Sequence, residues 1–350
     1  MMTSRRAFLA GGTVSALSLT LAACSQNKPS VTTPTATGSA AAESVLSPEK
    51  LTAVLERIKT GMDAADAEKK PELLAGYAEG PAVRVRTAEY ALATATKDDA
   101  HIQVLPATTS QTSSAGVTLD FPRVAINVTD APAEKVAPFL MALRQNSARD
   151  NFQLWAWVQL FPSVNVPAID SPLSGTEQVV ADSEGLVVTP QAALDAYVDA
   201  LNNPEGDNGK AFADDPVRQQ VAAQRSVDVS PTGEVTVTAA AGSDGFLGLR
   251  TDDGGAIVMT TLTYTSTFKK TVDGGSLTLQ SDIGAMLGDN KEVVGTVTAT
   301  YEAMVAFSIP PEGGDANGST TTVVLGAETI LAKVERDDSQ APTPTATPTR

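Results

Sequence analysis

Histidine and cysteine are almost missing from this 350-residue chain, which holds one of each, and aromatic residues make up only 5% of it. A zinc or iron centre needs several His, Cys or carboxylate ligands converging on one point. His101, alone beside Asp98 and Asp99, therefore predicts no metal site, and no cofactor is expected. A single cysteine permits no intramolecular disulfide, so the body must rest on its core alone. There is no Gly-x-Ser-x-Gly elbow and no glycine-rich phosphate cradle, so no catalytic residue is assigned. Basic residues are also scarce, 25 Lys and Arg against 41 Asp and Glu, for a formal net charge of −16. Nucleic acid and anionic headgroups are poor partners for such a surface. The apolar stretch at residues 11–23 is too short to cross a bilayer.

What is present begins at the N-terminus, where Thr3-Ser4-Arg5-Arg6-Ala7-Phe8-Leu9 leads into that mild apolar stretch and ends at Leu21-Ala22-Ala23-Cys24. A positive segment, a short apolar run and small residues at a cut form the secretory pattern. Arg5 and Arg6, followed by Phe8 and Leu9, resemble the twin-arginine export signal, although Ala10 stands where that motif usually has lysine. The general secretory route is the alternative. Leu21-Ala22-Ala23-Cys24 resembles the bacterial lipoprotein lipobox. The resemblance implies removal of residues 1–23 as a signal peptide, a diacylglycerol thioether with further acylation of the palmitate type on Cys24, and a protein held on the outer face of the cell membrane. Two acyl chains anchor stably where one does not. The alanine-rich, lysine-poor whole is similar to exported lipoproteins of high-GC Gram-positive bacteria.

Residues 24–46, with Pro29, Thr32, Thr33, Pro34 and an alanine run, show no hydrophobic period and predict a disordered tether. Residues 338–350, rich in Pro-Thr pairs, predict a matching disordered tail. Between them the order of signals repeats. Ser47-Pro48 opens a segment with Leu51, Val54, Leu55, Ile58 and Met62 on one helix face, and Thr189-Pro190 opens another with Leu194, Tyr197, Val198 and Leu201. A proline-led second helix follows each, at Pro81 and Pro216, and then come strands. Strands are expected at 101–105, 117–128, 139–144 and 152–161, and later at 234–239, 246–251, 256–271, 276–280, 292–309 and 321–335. Asp252-Asp253-Gly254-Gly255 and Asp273-Gly274-Gly275 mark reversals. The expected fold class is α+β. It comprises two domains, residues 47–187 and 188–337, each with helices packed on a curved antiparallel sheet, in an order that suggests duplication. Helices followed by a coiled sheet resemble the cone-shaped nuclear transport factor 2-like or cystatin-like architecture, a likeness of element order without a diagnostic motif.

The candidate binding surface is the strand around Trp155. Strict alternation places Gln153, Trp155, Trp157, Gln159 and Phe161 on one face. Indole area beside amide groups suits a glycan, a wall polymer or a partner protein of the envelope; the same face could equally pack on helices. Arg84, Arg86 and Arg218 could hold an anion or pair with the surplus acids. The Asp244-Gly245 and Asp252-Asp253 loops lack calcium-loop spacing. The expected role is that of a lipid-anchored, non-enzymatic lipoprotein binding a partner, a wall polymer or a small apolar ligand. An enzyme with carboxylate acid/base chemistry in a cone-shaped pocket is the alternative, and it requires acids of raised pKa among apolar residues.

Overall fold

A computed structural model describes residues 30–31, 44–105, 108–169 and 174–343. Arg5, Arg6, Cys24 and the last seven residues of the Pro-Thr tail lie outside the described residues, as does most of the expected tether. Of that tether, β1 (Ser30–Val31) pairs in parallel with β6 (Asn165–Val166) and Leu46 is buried in the core, so these parts of the expected disordered segment lie on the body rather than free of it.

Helix α1 (Pro48–Glu68) forms as its pattern predicts. The Ser47 side chain accepts from the Lys50 amide, Pro48 occupies the first turn, and Leu51, Leu55, Ile58 and Met62 are buried. Helix α2 (Pro81–Thr96) follows. In the second half, α3 (Pro190–Asn202) has the same construction, with Thr189 capping the Ala192 amide. Two further helices come next, α4 (Asp207–Ala211) and α5 (Pro216–Arg225). Asp215 caps α5 twice, at the Val217 and Arg218 amides, and also accepts the Tyr197 hydroxyl at 3.0 Å. Helix α4, of five residues, and α6 (Ser281–Leu287), of two turns, are too short to carry a periodic signal.

The strands are β2 (Ser110–Ala115), β3 (Arg123–Thr129), β4 (Phe139–Gln145), β5 (Gln153–Leu160), β7 (Gln178–Val179), β8 (Gly233–Ala241), β9 (Leu247–Arg250), β10 (Ala256–Lys270), β11 (Thr296–Ile309) and β12 (Val323–Asp337). All belong to one antiparallel sheet in the order β2-β3-β4-β5-β12-β11-β10-β9-β7, with β8 also on β10. Residues 101–105 form no strand; His101 ends a single 3-10 turn begun at Asp99, and irregular backbone follows. The expected strand 117–128 is a strand only from Arg123, and 276–280 contributes an isolated bridge at Thr278.

The strands of both expected domains thus share one sheet, and one buried core runs through it. The seam is short: Leu160 and Gln159 of β5 face Gly326 and Ala327 of β12, and the Phe161 amide donates to the Leu325 carbonyl at 2.8 Å. Helix α2, from the first half, lies across β12 and β11 and against α6 of the second. Arg84 closes the junction, bidentate to Asp244 at 2.7 and 2.8 Å and bound to Glu302 at 3.0 Å. A boundary at residue 188 therefore separates sequence segments but not cores.

β11 shows why the sheet reads so clearly at one end only. From Thr296 to Ala303 burial alternates, the pattern of a sheet with one wet side, and from Met304 to Phe307 every residue is buried because both faces are covered. Tyr197 of α3 packs edge-on to Phe307 there, 5.6 Å between centroids.

A Cβ on Gly326 would stand 2.3 Å from the Gln159 carbonyl oxygen, which is backbone and cannot yield. We expect Gly326→Val to cost about 1–3 kcal/mol of stability by overpacking the seam, whereas Gly313→Ala, in open space, leaves the urea midpoint unchanged. Equal midpoints for the two variants would show that the seam does not carry the sheet.

Candidate functional site

The Trp155 strand is no open platform. Trp155 is 1% exposed and Trp157 is fully buried. The ladder between β4 and β5 also shifts register: Ala142 faces Ala156 and Leu143 faces Leu154, which leaves Trp155 in a bulge and interrupts the strict alternation. Trp155 lies under the start of α2, with Nε1 3.0 Å from where a Cβ on Gly80 would be. Trp157 carries the Arg86 guanidinium over its ring at 4.9 Å. Gln153 is half-buried. Gln159 reaches the Ala137 carbonyl at 3.4 Å and lines a cleft.

That cleft, about 500 Å³, is the candidate site. It lies between α5, α6 and the 3-10 turn ending at His101, over β12 and β11. Leu92, Phe161, Val217, Phe268 and Ile283 supply its apolar wall, and Gln103, Gln159, Gln219, Gln220, Gln224 and Gln280 its amides. Glu328 and Asp282 are its carboxylates, with His101 Nε2 3.8 Å from Asp282. Its volume is within the range of small-ligand sites, and its apolar walls are interleaved with many polar groups. A larger recess of about 1140 Å³ is walled mostly by loops, around Phe161, Phe212, Asp252 and Asp315. Its acids are occupied in shaping those loops: Asp215 caps α5, Asp253 accepts from the Thr251 hydroxyl and the Gly255 amide, and Asp315 accepts the Asn317 and Ser319 amides.

Behind the cleft floor sits a buried charge cluster. Arg86 of α2 is fully buried, 2.8 Å from the Glu89 carboxylate, 3.6 Å from Asp66, and donates to the Gln103 carbonyl at 2.7 Å. Asp66 in turn accepts the Tyr90 hydroxyl at 2.6 Å. One cation faces both Glu89 and Glu328. Burial pushes the Glu89 carboxyl up, opposed by Arg86 and reinforced by Glu328 and Asp66. Burial likewise pushes Glu328 up against the pull of Arg86. Asp282 is raised by burial and by Asp98, with His101 acting in the opposite sense.

The three arginines flagged in the sequence all pair with the protein itself. Arg84 holds Asp244 and Glu302, Arg86 holds Glu89, and Arg218 donates to the carbonyls of Gly209, Phe212 and Ala213. Glu89, Asp282 and Glu328 went unflagged. Signals existed for two of them: Glu89 shares a helical stripe with Ala82, Val85 and Leu92, and Glu328 interrupts the apolar run of a strand. Among the described residues no cluster of three His, Cys, Asp or Glu is placed to hold a metal ion, and no helix is long and apolar enough to cross a membrane.

The native state keeps protons on Glu89 and Glu328 that the unfolded chain has already released, so with respect to these groups stability falls as pH rises from about 5 to about 8. Arg86→Met removes the opposing cation. It is expected to cost about 3–5 kcal/mol at pH 8, as for other broken buried pairs, and distinctly less at pH 5, where the carboxyls are neutral. Urea unfolding at the two pH values checks this; an equal loss at both would mean that packing over Trp157, not charge, is what Arg86 supplies.

Residues 42–329 match the model of a domain of unknown function, DUF8094. No curated protein and no solved structure matches the chain. A match over most of the chain, from before α1 into β12, shows that the chain belongs to the DUF8094 family.

Proposed function

We propose that the protein is an exported lipoprotein, held on the outer face of the cell membrane through a lipid on Cys24, whose body binds a small ligand in the cleft over β12 without turning it over. The observation that carries the anchor is Leu21-Ala22-Ala23-Cys24, with the chain's sole cysteine in the lipobox position behind Arg5 and Arg6. The cleft, with its apolar walls and convergent amides, supports the binding role better than the buried Trp155 and Trp157 support a glycan platform. An envelope protein or wall polymer as partner is the broader form of the same reading. So is a pair of cone-like halves, favoured by the matching caps at Ser47-Pro48 and Thr189-Pro190.

The pairing of β1 with β6 bears on the anchor. From Cys24 to Ser30 the backbone spans at most about 20 Å when fully extended. A lipid on Cys24 would therefore keep the edge of the body near Asn165 close to the bilayer, nearer than a free spacer of residues 24–46 implies.

A second reading has a specific observation in its favour. Glu328 and Asp282 are cleft acids of raised pKa among apolar residues, the arrangement that carboxylate acid/base catalysis requires.

Metabolic labelling with an alkyne fatty acid in the native host tests the anchor. The wild type is expected to carry label and to sediment with membranes, while Cys24→Ser loses the label and appears in the soluble fraction. Label retained on Cys24→Ser would end the lipoprotein reading.

A further inference from the structure

We infer that Asn317 is a site of spontaneous covalent modification, at which the side-chain amide becomes a carboxyl by way of a cyclic imide. The inference is independent of the cleft and of the anchor. An asparagine followed by glycine is open to this reaction because no β-carbon on the next residue shields its backbone nitrogen from the asparagine side chain. The chain has two such pairs, Asn208-Gly209 and Asn317-Gly318, and the fold treats them differently.

Asn317 stands exposed in the loop between β11 and β12, and its side chain has no hydrogen-bond partner among the described residues. Gly318 is exposed at φ +75°, and a Cβ placed on it would meet no atom within 4 Å, so the peptide plane joining the two residues has room to turn. Two bonds restrain it: the Gly318 amide donates to the Asp315 carbonyl and the Asn317 amide to Asp315 Oδ1, each at 2.8 Å. Both donors belong to exposed residues, where water takes over a released amide and local opening costs little. Asn208 has none of this freedom. It lies in the first turn of α4, its side-chain amide donates to Asp199 Oδ2 at 2.8 Å, and Gly209 is buried, with the Pro204 carbonyl oxygen 2.2 Å from where a Cβ would stand. Ring closure there requires the Gly209 nitrogen to swing out of the helical ψ range toward the side chain, against both the burial and the Asp199 bond.

The reaction balances with water alone. The Gly318 amide gives its proton to hydroxide, and the nitrogen attacks Cγ of Asn317. A bond from that nitrogen to Cγ forms, the bond from Cγ to the side-chain nitrogen breaks, and the latter leaves as ammonia with a proton from water. A second water then opens the imide. Cleavage of the nitrogen from Cγ gives aspartate; cleavage from the backbone carbonyl carbon gives isoaspartate, with the main chain rerouted through the former side chain. Either product adds a carboxylate to the wall of the larger recess, whose lining already holds Asp252, Asp253 and Asp315. Isoaspartate also inserts a methylene into the turn in which Asp315 Oδ1 accepts the residue 317 and Ser319 amides at 2.8 Å, and so loosens that wall.

The test is incubation of the full chain carrying Cys24→Ser in mildly alkaline buffer, folded and in urea, followed by proteolysis and mass spectrometry of the peptides around residues 208 and 317 against isoaspartate standards. In the folded chain, conversion at 317 is expected to run at least about tenfold ahead of 208, since only the latter must wait for structure to open. In urea the two rates should converge. Gly318→Ala should slow conversion at 317 and leave 208 unchanged, and the rate at 317 should rise with pH as the amide loses its proton. Equal rates at the two sites in the folded chain would overturn the inference, and so would an Asn317 that folding protects as strongly as Asn208 or that fails to convert at all.

Discussion

One guanidinium, that of Arg86, neutralises a group of carboxylates that the fold has gathered from three separate elements, Asp66 on α1, Glu89 on α2 and Glu328 on β12. Burying Arg86 or Glu89 alone would be prohibitive. Together they are tolerable because Arg86 also stacks on Trp157 and donates to a backbone carbonyl, and because the surplus carboxyls can keep their protons. The position of α2 follows from this. A helix carrying Arg86 inward must lie where the indole of β5 and the carboxylate of β12 meet, and that is the seam between the two halves of the sheet.

The seam itself has little backbone to hold it, with Gly326 and Ala327 paired to Leu160 and Gln159. What the ladder lacks is supplied by groups that cross it: α2 over β12, Arg84 bound to Asp244 and Glu302, and the Arg86 cluster beneath. The cleft is a product of the same arrangement. Because α2 and α6 cover β12 while α5 lies over β8 and β10, a gap remains between them, and its floor is the reverse side of the charge cluster.

How much of this could be read along the chain depends on the range of the interaction involved. α1 and α3 were legible because Ser47-Pro48 and Thr189-Pro190 are local starts, and the stripe from Leu51 to Met62 needs only its own helix to declare itself. β10, β11 and β12 were legible because alternation persists wherever one face meets water. The same rule misled at Trp155, where a bulge shifts the register and both faces are covered, so that alternation no longer distinguished inside from outside. It misled again at 101–105 and 276–280, which contain apolar residues but no neighbouring strand that completes a ladder. The short helices α4 and α6 were invisible because a helix of one or two turns has no period to detect.

By itself the sequence determined the composition limits, and it determined the long helices with their caps and the antiparallel character of the sheet, which depend on residues a few positions apart. Only the tertiary structure decided that two runs of strands form one sheet, that both tryptophans are core, and that Glu328, Asp282 and His101 share a cleft. Arg84 and Glu302 stand 218 positions apart, and no spacing rule connects them. A charged side chain reads the same in a sequence whether it is solvated or buried. The surroundings that make it costly, protonated or paired exist only after distant segments have packed.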